Sequence, residues 1–201
     1  MPEKQTGRLE AFSDGVFAIA ITLLALELKV PHFEAGQITG AAVLSGLAHQ
    51  WPSYFAFITS FFTVLIMWVH HHAIFRLVRR VDVKLLFANG FLLMLVTVVP
   101  FPTALVAEYL RTPAAATAST FYAGFFVLIS IGFWVLLWAA FRPIVLDPEA
   151  KLETVGRLRR SYRFGPPLYL AATAAAPFSP WLAVGMCSAM WIVWAVTTRE
   201  C

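Results

Sequence analysis

Long runs of apolar residues alternate with short polar segments along the whole sequence. A helix of about 20 apolar residues is long enough to cross the hydrocarbon core of a bilayer. The pattern therefore predicts an all-α integral membrane protein with a single domain over residues 1–201 and six transmembrane helices. Their approximate bounds are 12–30, 51–75, 84–107, 117–141, 162–178 and 181–198.

Composition agrees with this pattern, because 60% of the residues are hydrophobic and only 13% are charged. Almost all lysines and arginines fall on one side of the predicted six-helix arrangement, and only Lys29 and Arg111 fall on the other. By the positive-inside rule, both termini should be cytoplasmic. Membrane topology also explains the net charge of +4 without a nucleic-acid partner.

The first apolar segment runs from Arg8 to Pro31 and contains charged residues among its apolar ones. At about 100° per residue, a helix here presents two distinct faces. We call the first face the bulky stripe, and it contains Phe12, Gly15, Ile19, Leu23, Leu26 and Val30, with Thr22 on its flank. The second face contains Asp14, Ala18, Ile21 and Ala25. If Ala18 and Ala25 pack against the other helices, the bulky stripe faces lipid, a neighbouring subunit or a pore.

Three segments interrupt the simple helical pattern. Residues 36–50 are compatible with either a short helix or an extension of the second span. Pro100 and Pro102 should kink or end the third helix near the membrane surface. Residues 142–163 form the longest polar and basic segment, with no sign of an independent domain.

Three of the polar residues in the apolar segments are consecutive. His70, His71 and His72 would point about 100° apart on a helix, so they cannot converge on one ion and we expect no metal site. We predict instead a polar cluster that satisfies otherwise costly groups and holds the first helix in place. Its candidate members are Arg8, Ser13, Asp14, Trp68, His71 and Asn89. The alternative is ordinary helix capping and interfacial anchoring by the same residues.

The sequence contains no phosphate-binding loop, no GxSxG or HExxH motif and no convergent pair of acids. Nothing in it therefore predicts an enzyme or a cofactor. A TVGYG-like segment is also absent, which excludes a potassium channel of the carbonyl-cage type. Any ion selectivity would have to come from side chains.

The opening RLEAFSDGVFAIAITLLALEL closely resembles the RxxxFSD first-helix signature of the transmembrane protein 175 family of lysosomal and bacterial potassium channels. The segments WVHHHAIFRLVRRVD, LLFANGFLLML and VVPFPTAL also resemble the second and third helices of that family. The six-span layout matches the family over nearly the whole chain. The signature residues are Arg8, Phe12, Ser13 and Asp14.

This resemblance implies a homotetrameric leak-type channel of the bacterial inner membrane, in which four first helices line a central pore. Potassium would be the permeant ion, modestly preferred over sodium, and the partners would be other copies of the chain and the lipid bilayer. Arg8, Ser13 and Asp14 would be structural rather than ion ligands. The implied pore residues are Ile19, Thr22, Leu23 and Leu26, with Ile19 as the narrowest ring and Thr22 contributing to selectivity.

Two other functions remain open from the sequence. One is a proton-coupled carrier that uses Asp14 and the histidines, and the other is a non-conducting membrane scaffold. A carrier would need its titrating acid on the transport face. Asp14 lies off the bulky stripe, which favours the channel.

Overall fold

The computed structural model describes residues 6–34, 36 and 38–198, and the secondary structure in these ranges is helical apart from one isolated bridge between Val78 and Leu146. A short 3₁₀ turn, Leu24–Glu27, directly follows the first helix. The α-helices are α1 (Gly7–Leu23), α2 (Gly40–His49), α3 (Trp51–Phe75), α4 (Val83–Val98), α5 (Pro100–Tyr109), α6 (Ala115–Ala140), α7 (Leu152–Tyr162), α8 (Gly165–Ala175) and α9 (Pro180–Thr198).

Several of these helices begin at residues that cap or initiate helices well. Thr39 and Asp82 have extended backbones just before α2 and α4. The Thr39 hydroxyl accepts the amide of Ala42 at 3.1 Å, and the Asp82 carboxylate accepts the amide of Leu85 at 2.9 Å. Each contact satisfies a backbone donor that has no partner inside the helix. Gln50 interrupts the helical pattern between α2 and α3, so Gly40–His49 is a separate helix rather than an extension of α3.

The two prolines predicted to interrupt the third helix do so at Val99. Helix α4 ends at Val98 and α5 begins at Pro100, because proline cannot donate a backbone hydrogen bond. Val99 itself keeps helical angles, with φ −49° and ψ −39°. The chain therefore continues as one apolar stretch, Val83–Tyr109.

Within the described residues, four helical stretches are long and apolar enough to cross a membrane by length and composition. They are Gly7–Leu26, Trp51–Phe75, Val83–Tyr109 and Ala115–Ala140. Helix α8 has 11 residues and rises only about 16 Å, and the apolar part of α9 is the shorter Pro180–Val196. The boundary expected at residue 162 also has to move, because Tyr162 ends α7 and α8 begins only at Gly165.

Helix α6 is the centre of the packing and contacts α4, α5, α8 and α9. Of its most apolar 18 residues, 61% are buried within the chain. Helix α1 lies at the edge of the fold and packs mainly against α3 and α4, and only 22% of the corresponding stretch is buried. A long apolar helix with one packed side must meet lipid or another protein on its remaining surface.

The α3–α4 and α6–α7 connections pair with each other through their backbones. Arg79 and Arg80 both donate their amides to the carbonyl of Val145, at 3.0 and 3.3 Å, and Asp147 donates its amide to the carbonyl of Leu77 at 2.8 Å. Beside this pairing, the Arg142 guanidinium donates to the Asp82 carboxylate at 2.6 Å. These contacts join the ends of α3, α4 and α6 on one side of the protein.

We expect the Asp82–Arg142 pair to make stability depend on pH in the acid range. The hydrogen bond from Arg142 is the main cause that lowers the pKa of Asp82 below its ordinary value of 3.8. A carboxyl group with a lowered pKa in the folded state stabilises the fold above its unfolded pKa, and this stabilisation is lost as the pH falls through its folded pKa. Below about pH 4, the thermal midpoint should therefore fall more in wild type than in Asp82→Asn.

The expected difference is only a few degrees, because both side chains are partly exposed. Midpoints measured in detergent at constant ionic strength, from about pH 7 to pH 3, would test it. Glu153→Gln is the matched control, because it removes one carboxylate from the exposed pair with Arg157 on α7. Identical pH profiles for wild type and Asp82→Asn would contradict the prediction.

Candidate functional site

The packed face of α1 consists of Ser13, Phe17, Ala20 and Leu24, which recur every three or four residues. This corrects the expectation that Ala18 and Ala25 form the packing face, because both are exposed. Phe17 lies 5.3 Å from the His71 ring, centroid to centroid, and fills the space between α1 and α3. The small side chain of Ala20 allows close approach on the same face.

All six residues of the bulky stripe are exposed, but only Phe12, Gly15, Ile19 and Leu23 belong to α1. Leu26 lies in the 3₁₀ turn and Val30 lies beyond it, so the first helix ends before residue 30, where it was predicted to end. The exposed fractions are 58% for Ile19, 38% for Leu23 and 71% for Leu26. Such a surface on a membrane helix carries no chemistry of its own. It can contact lipid or a neighbouring copy, or it can form an apolar wall around an ion path.

Thr22 is the polar residue on this exposed side. Its hydroxyl donates to the carbonyl of Ile19 at 2.9 Å, so the hydroxyl proton is committed to the backbone. The oxygen lone pairs remain available as acceptors, and acceptor oxygens are the groups that replace water around a cation.

A buried polar network, which we define as Ser13, His71 and Asn89, connects α1, α3 and α4. The Asn89 amide donates to Ser13 Oγ at 2.9 Å, and Ser13 Oγ donates to the carbonyl of Leu9 at 2.8 Å. Asn89 Oδ1 lies 2.7 Å from His71 Nε2 and can only accept, so that ring nitrogen carries the proton. The network therefore runs in one direction, from His71 to the backbone of α1.

Asp14 and Trp68 form a second, separate contact between α1 and α3. Trp68 Nε1 donates to Asp14 Oδ1 at 2.7 Å, and the Trp68 ring stacks on His72 at a centroid distance of 6.1 Å. Asp14 is exposed, in contrast to the fully buried Ser13 beside it in sequence. The predicted polar cluster is therefore present as two contacts rather than one.

Arg8 does not join either contact, which corrects its predicted place in the cluster. It is exposed and lines an open groove whose wall includes Phe12 and Asn89. Within the described residues, its guanidinium has no hydrogen bond or ion pair.

The three consecutive histidines point to three different places. His70 Nε2 donates to the carbonyl of Trp194 at 3.1 Å, and its Nδ1 accepts from the Tyr162 hydroxyl at 2.8 Å. His71 belongs to the buried polar network, and His72 stacks on Trp68. Among the residues that the structure describes, no three His, Cys, Asp or Glu side chains are grouped to hold a metal ion.

The partners of His70 were not predicted from the sequence. Tyr162 and Trp194 lie far from it in the chain, and their ring centroids lie 5.5 Å from that of His70. A second missed contact joins Ser60 and Thr103 at 2.7 Å between buried hydroxyls of α3 and α5. No local sequence pattern predicts either contact, because each depends on how separate helices are placed.

Comparison with known sequences identifies proteins that are similar to this chain. A family profile described as Endosomal/lysosomal potassium channel TMEM175 matches residues 8–100. "Potassium channel Cha6605_3372" of Chamaesiphon minutus is 52% identical over 199 residues, covering 98% of this chain and 97% of the relative. This chain belongs to the TMEM175 family. "Potassium channel B446_29190" of Streptomyces collinus is 47% identical over 163 residues, covering 80% of this chain and 77% of the relative.

The fold agrees with membership of the TMEM175 family. The crystal structure of a lysosomal potassium-selective channel TMEM175 homolog from Chamaesiphon minutus superimposes with a TM-score of 0.85 at 49% identity, covering 96% of this chain and 98% of that one. The residues matched by the TMEM175 profile begin at Arg8 and end at Pro100, so they include the buried polar network and the Asp14–Trp68 contact.

Proposed function

We propose that this TMEM175-family protein is a homotetrameric, leak-type potassium channel in which four α1 helices line a central pore. The observation that supports this best is the one-sided packing of α1, which leaves the bulky stripe exposed along a helix long enough to span a bilayer. Four copies around a central axis would turn these stripes towards one another. We take potassium as the permeant ion because the relatives are named potassium channels, and we take the protein to be a channel because the family is one of channels.

In this proposal, Ile19 forms the narrowest ring, with Leu23 and Leu26 following along the stripe. A ring of aliphatic side chains hinders ions in two ways, by narrowing the path and by excluding the water that ions need. Thr22 adds four hydroxyl oxygens next to this constriction and tunes the modest preference for potassium over sodium. No backbone carbonyl cage takes part in selection.

The buried polar network and the Asp14–Trp68 contact have a positioning role in the channel. Both lie away from the bulky stripe and connect α1 to the rest of the same subunit. A helix held at two points, one buried and one exposed, cannot rotate freely about its axis. The two contacts would therefore fix which residues of α1 face the pore.

The proposal places the protein in the bacterial inner membrane with six transmembrane helices per subunit and both termini in the cytoplasm. The short α8 and α9 would supply the fifth and sixth helices as a hairpin, and these two helices pack against each other and against α6. The excess of Lys and Arg on the side of the termini supports this orientation.

Flux from purified protein in liposomes tests the proposal. We expect potassium to leave loaded vesicles faster than sodium, and empty vesicles to show neither flux. Light scattering should give a particle of four 22.3 kDa chains after subtraction of detergent. A well-folded tetramer without flux would favour the scaffold, and flux strictly coupled to protons would favour the carrier, so either result would overturn the channel.

Thr22→Ala should reduce the preference for potassium while leaving the channel open. Loss of the Thr22 hydroxyl removes one acceptor oxygen per subunit, four in the tetramer, beside the constriction. We expect the potassium-to-sodium permeability ratio to fall by about twofold. Reversal potentials in planar bilayers with potassium on one side and sodium on the other would measure the ratio. Thr22→Ser keeps the hydroxyl and should stay close to wild type. An unchanged ratio in Thr22→Ala would remove this role.

A further inference from the structure

A groove opens on the surface where α7 meets α8, far from α1 in the packing. Its polar end is formed by Arg160 and Ser161. Its apolar floor runs between the start of α8 and the end of α9, and is formed by Phe164, Leu168, Met190 and Val193. Helix α8 packs on α6, α7 and α9, whereas α1 packs mainly on α3 and α4.

The arginines of α7 and its end differ in what they contact. Arg157 pairs with Glu153 at 3.0 Å. Arg159 lies over the Phe141 ring, 5.7 Å from its centroid, and donates to the Phe141 carbonyl at 3.3 Å.

Arg160 and Arg163 are exposed, and neither has a hydrogen bond or ion pair from its guanidinium to the part of the chain that the structure describes. They lie three residues apart and so share one side of the chain. The residues that line the groove include no acid. The polar end of the groove is therefore positively charged, with no acidic residue among the described residues that line it.

The position of the groove relates it to the membrane boundary. The polar, arginine-rich α7 ends at Tyr162, and the apolar α8 begins three residues later at Gly165. Arg160 lies on the polar side of this change, whereas Phe164 and Leu168 lie on the apolar side and are 60% and 39% exposed. A ligand that fills the groove must be anionic at one end and aliphatic along the rest.

We propose that this groove binds one anionic glycerophospholipid, with its phosphate on Arg160 and one acyl chain between α8 and α9. Arg163 does not line the groove, but it lies three residues from Arg160 and adds positive charge at the same end. Guanidinium groups bind phosphate through paired, charge-assisted hydrogen bonds, and the Ser161 hydroxyl can donate a further one. Basic residues next to a membrane helix favour anionic lipids over zwitterionic ones. The exposed apolar floor supplies the contact area for the chain.

Native mass spectrometry of the delipidated full-length protein tests the site. Titration with phosphatidylglycerol should show one tight lipid per chain, and phosphatidylcholine with the same acyl chains should bind about tenfold more weakly. Arg160→Gln combined with Arg163→Gln should remove this preference. Arg157→Gln is the matched control, because it removes one arginine from the same helix outside the groove, and it should bind like wild type.

A second variant acts through the floor of the groove. Leu168→Glu leaves both arginines in place but puts a carboxylate beside the lipid's acyl chain. It should weaken phosphatidylglycerol binding about as much as the double arginine variant does. Glycerol 1-phosphate carries the phosphate without chains and should not compete at equal concentration. Size-exclusion profiles and thermal midpoints identify variants that do not fold.

Three results would overturn the site. They are equal binding of the two lipids to wild type, full phosphatidylglycerol preference in the folded double arginine variant or wild-type phosphatidylglycerol affinity in folded Leu168→Glu, and competition by glycerol 1-phosphate as strong as by the lipid. The assay reads lipid binding and no ion flux. A failure here therefore leaves the channel proposal standing, and a channel without flux leaves this site standing.

Discussion

Replacing Ile19 with asparagine is expected to raise potassium flux through liposomes by about tenfold. Asparagine is smaller than isoleucine and hydrates readily, so a ring of four would be wider and would hold water where the aliphatic ring excludes it. A tenfold change corresponds to about 1.4 kcal/mol in the barrier to permeation. The added polar groups should also reduce the preference for potassium, because the narrowest ring would no longer exclude hydrated sodium.

Ile192→Asn is the matched control for this change. Ile192 lies on α9 and is 52% exposed, close to the 58% of Ile19, so both variants place the same polar group on an apolar membrane surface. We expect Ile192→Asn to conduct like wild type. Equal flux and selectivity in wild type and Ile19→Asn, at equal protein incorporation, would show that Ile19 does not form the constriction.

Removing Asn89 is expected to have the largest effect on the fold. In Asn89→Ala, the His71 Nε2 proton loses its acceptor and Ser13 loses a donor, in a site where all three residues are almost fully buried. We expect a loss of about 2 kcal/mol in the free energy of unfolding, because unpaired buried polar groups are costly. For a chain of this size, the thermal midpoint should fall by about 5 °C.

The variant should also disturb the orientation of α1, so potassium flux and tetramer recovery should fall even in the protein that stays folded. Thermal unfolding in detergent and size exclusion with light scattering measure the two effects. Thr97→Ala is the control on the same helix, because its hydroxyl bonds only to the Met94 carbonyl on an exposed surface. Matching midpoints for the two variants would contradict a special role for the network.

The membership of Ser13, Asn89 and His71 in one network was predicted from the sequence, but the exclusion of Arg8 was not. Ser13 and Asn89 are polar residues in apolar helices, and such groups need partners wherever they are. Arg8 stands at the start of α1, where it can reach solvent as easily as a partner. It lines a groove together with other residues of α1, residues of α4 and Val81 in the loop before α4, and no local pattern predicts that groove.

The packing face of α1 also separates what the sequence predicts from what only the tertiary structure shows. That α1 is a helix with two distinct faces follows from local periodicity, which can be read from the sequence alone. Local periodicity does not decide whether the face of Ala18 and Ala25 or the face of Phe17 and Ala20 packs against the other helices. That depends on the side chains of the helices that α1 contacts. Phe17 packs against the His71 ring, which itself stacks on Phe75.

The amino-acid sequence alone determined that this is a helical membrane protein of a channel family, since apolar length, charge placement and the opening signature are local properties. Only the tertiary structure decided how α1 is turned. The contacts that set this rotation join residues 76 positions apart, Ser13 and Asn89, and 54 positions apart, Asp14 and Trp68. Helical phase is set by the backbone within a few residues, whereas rotation relative to other helices is set by contacts that exist only after the chain has folded.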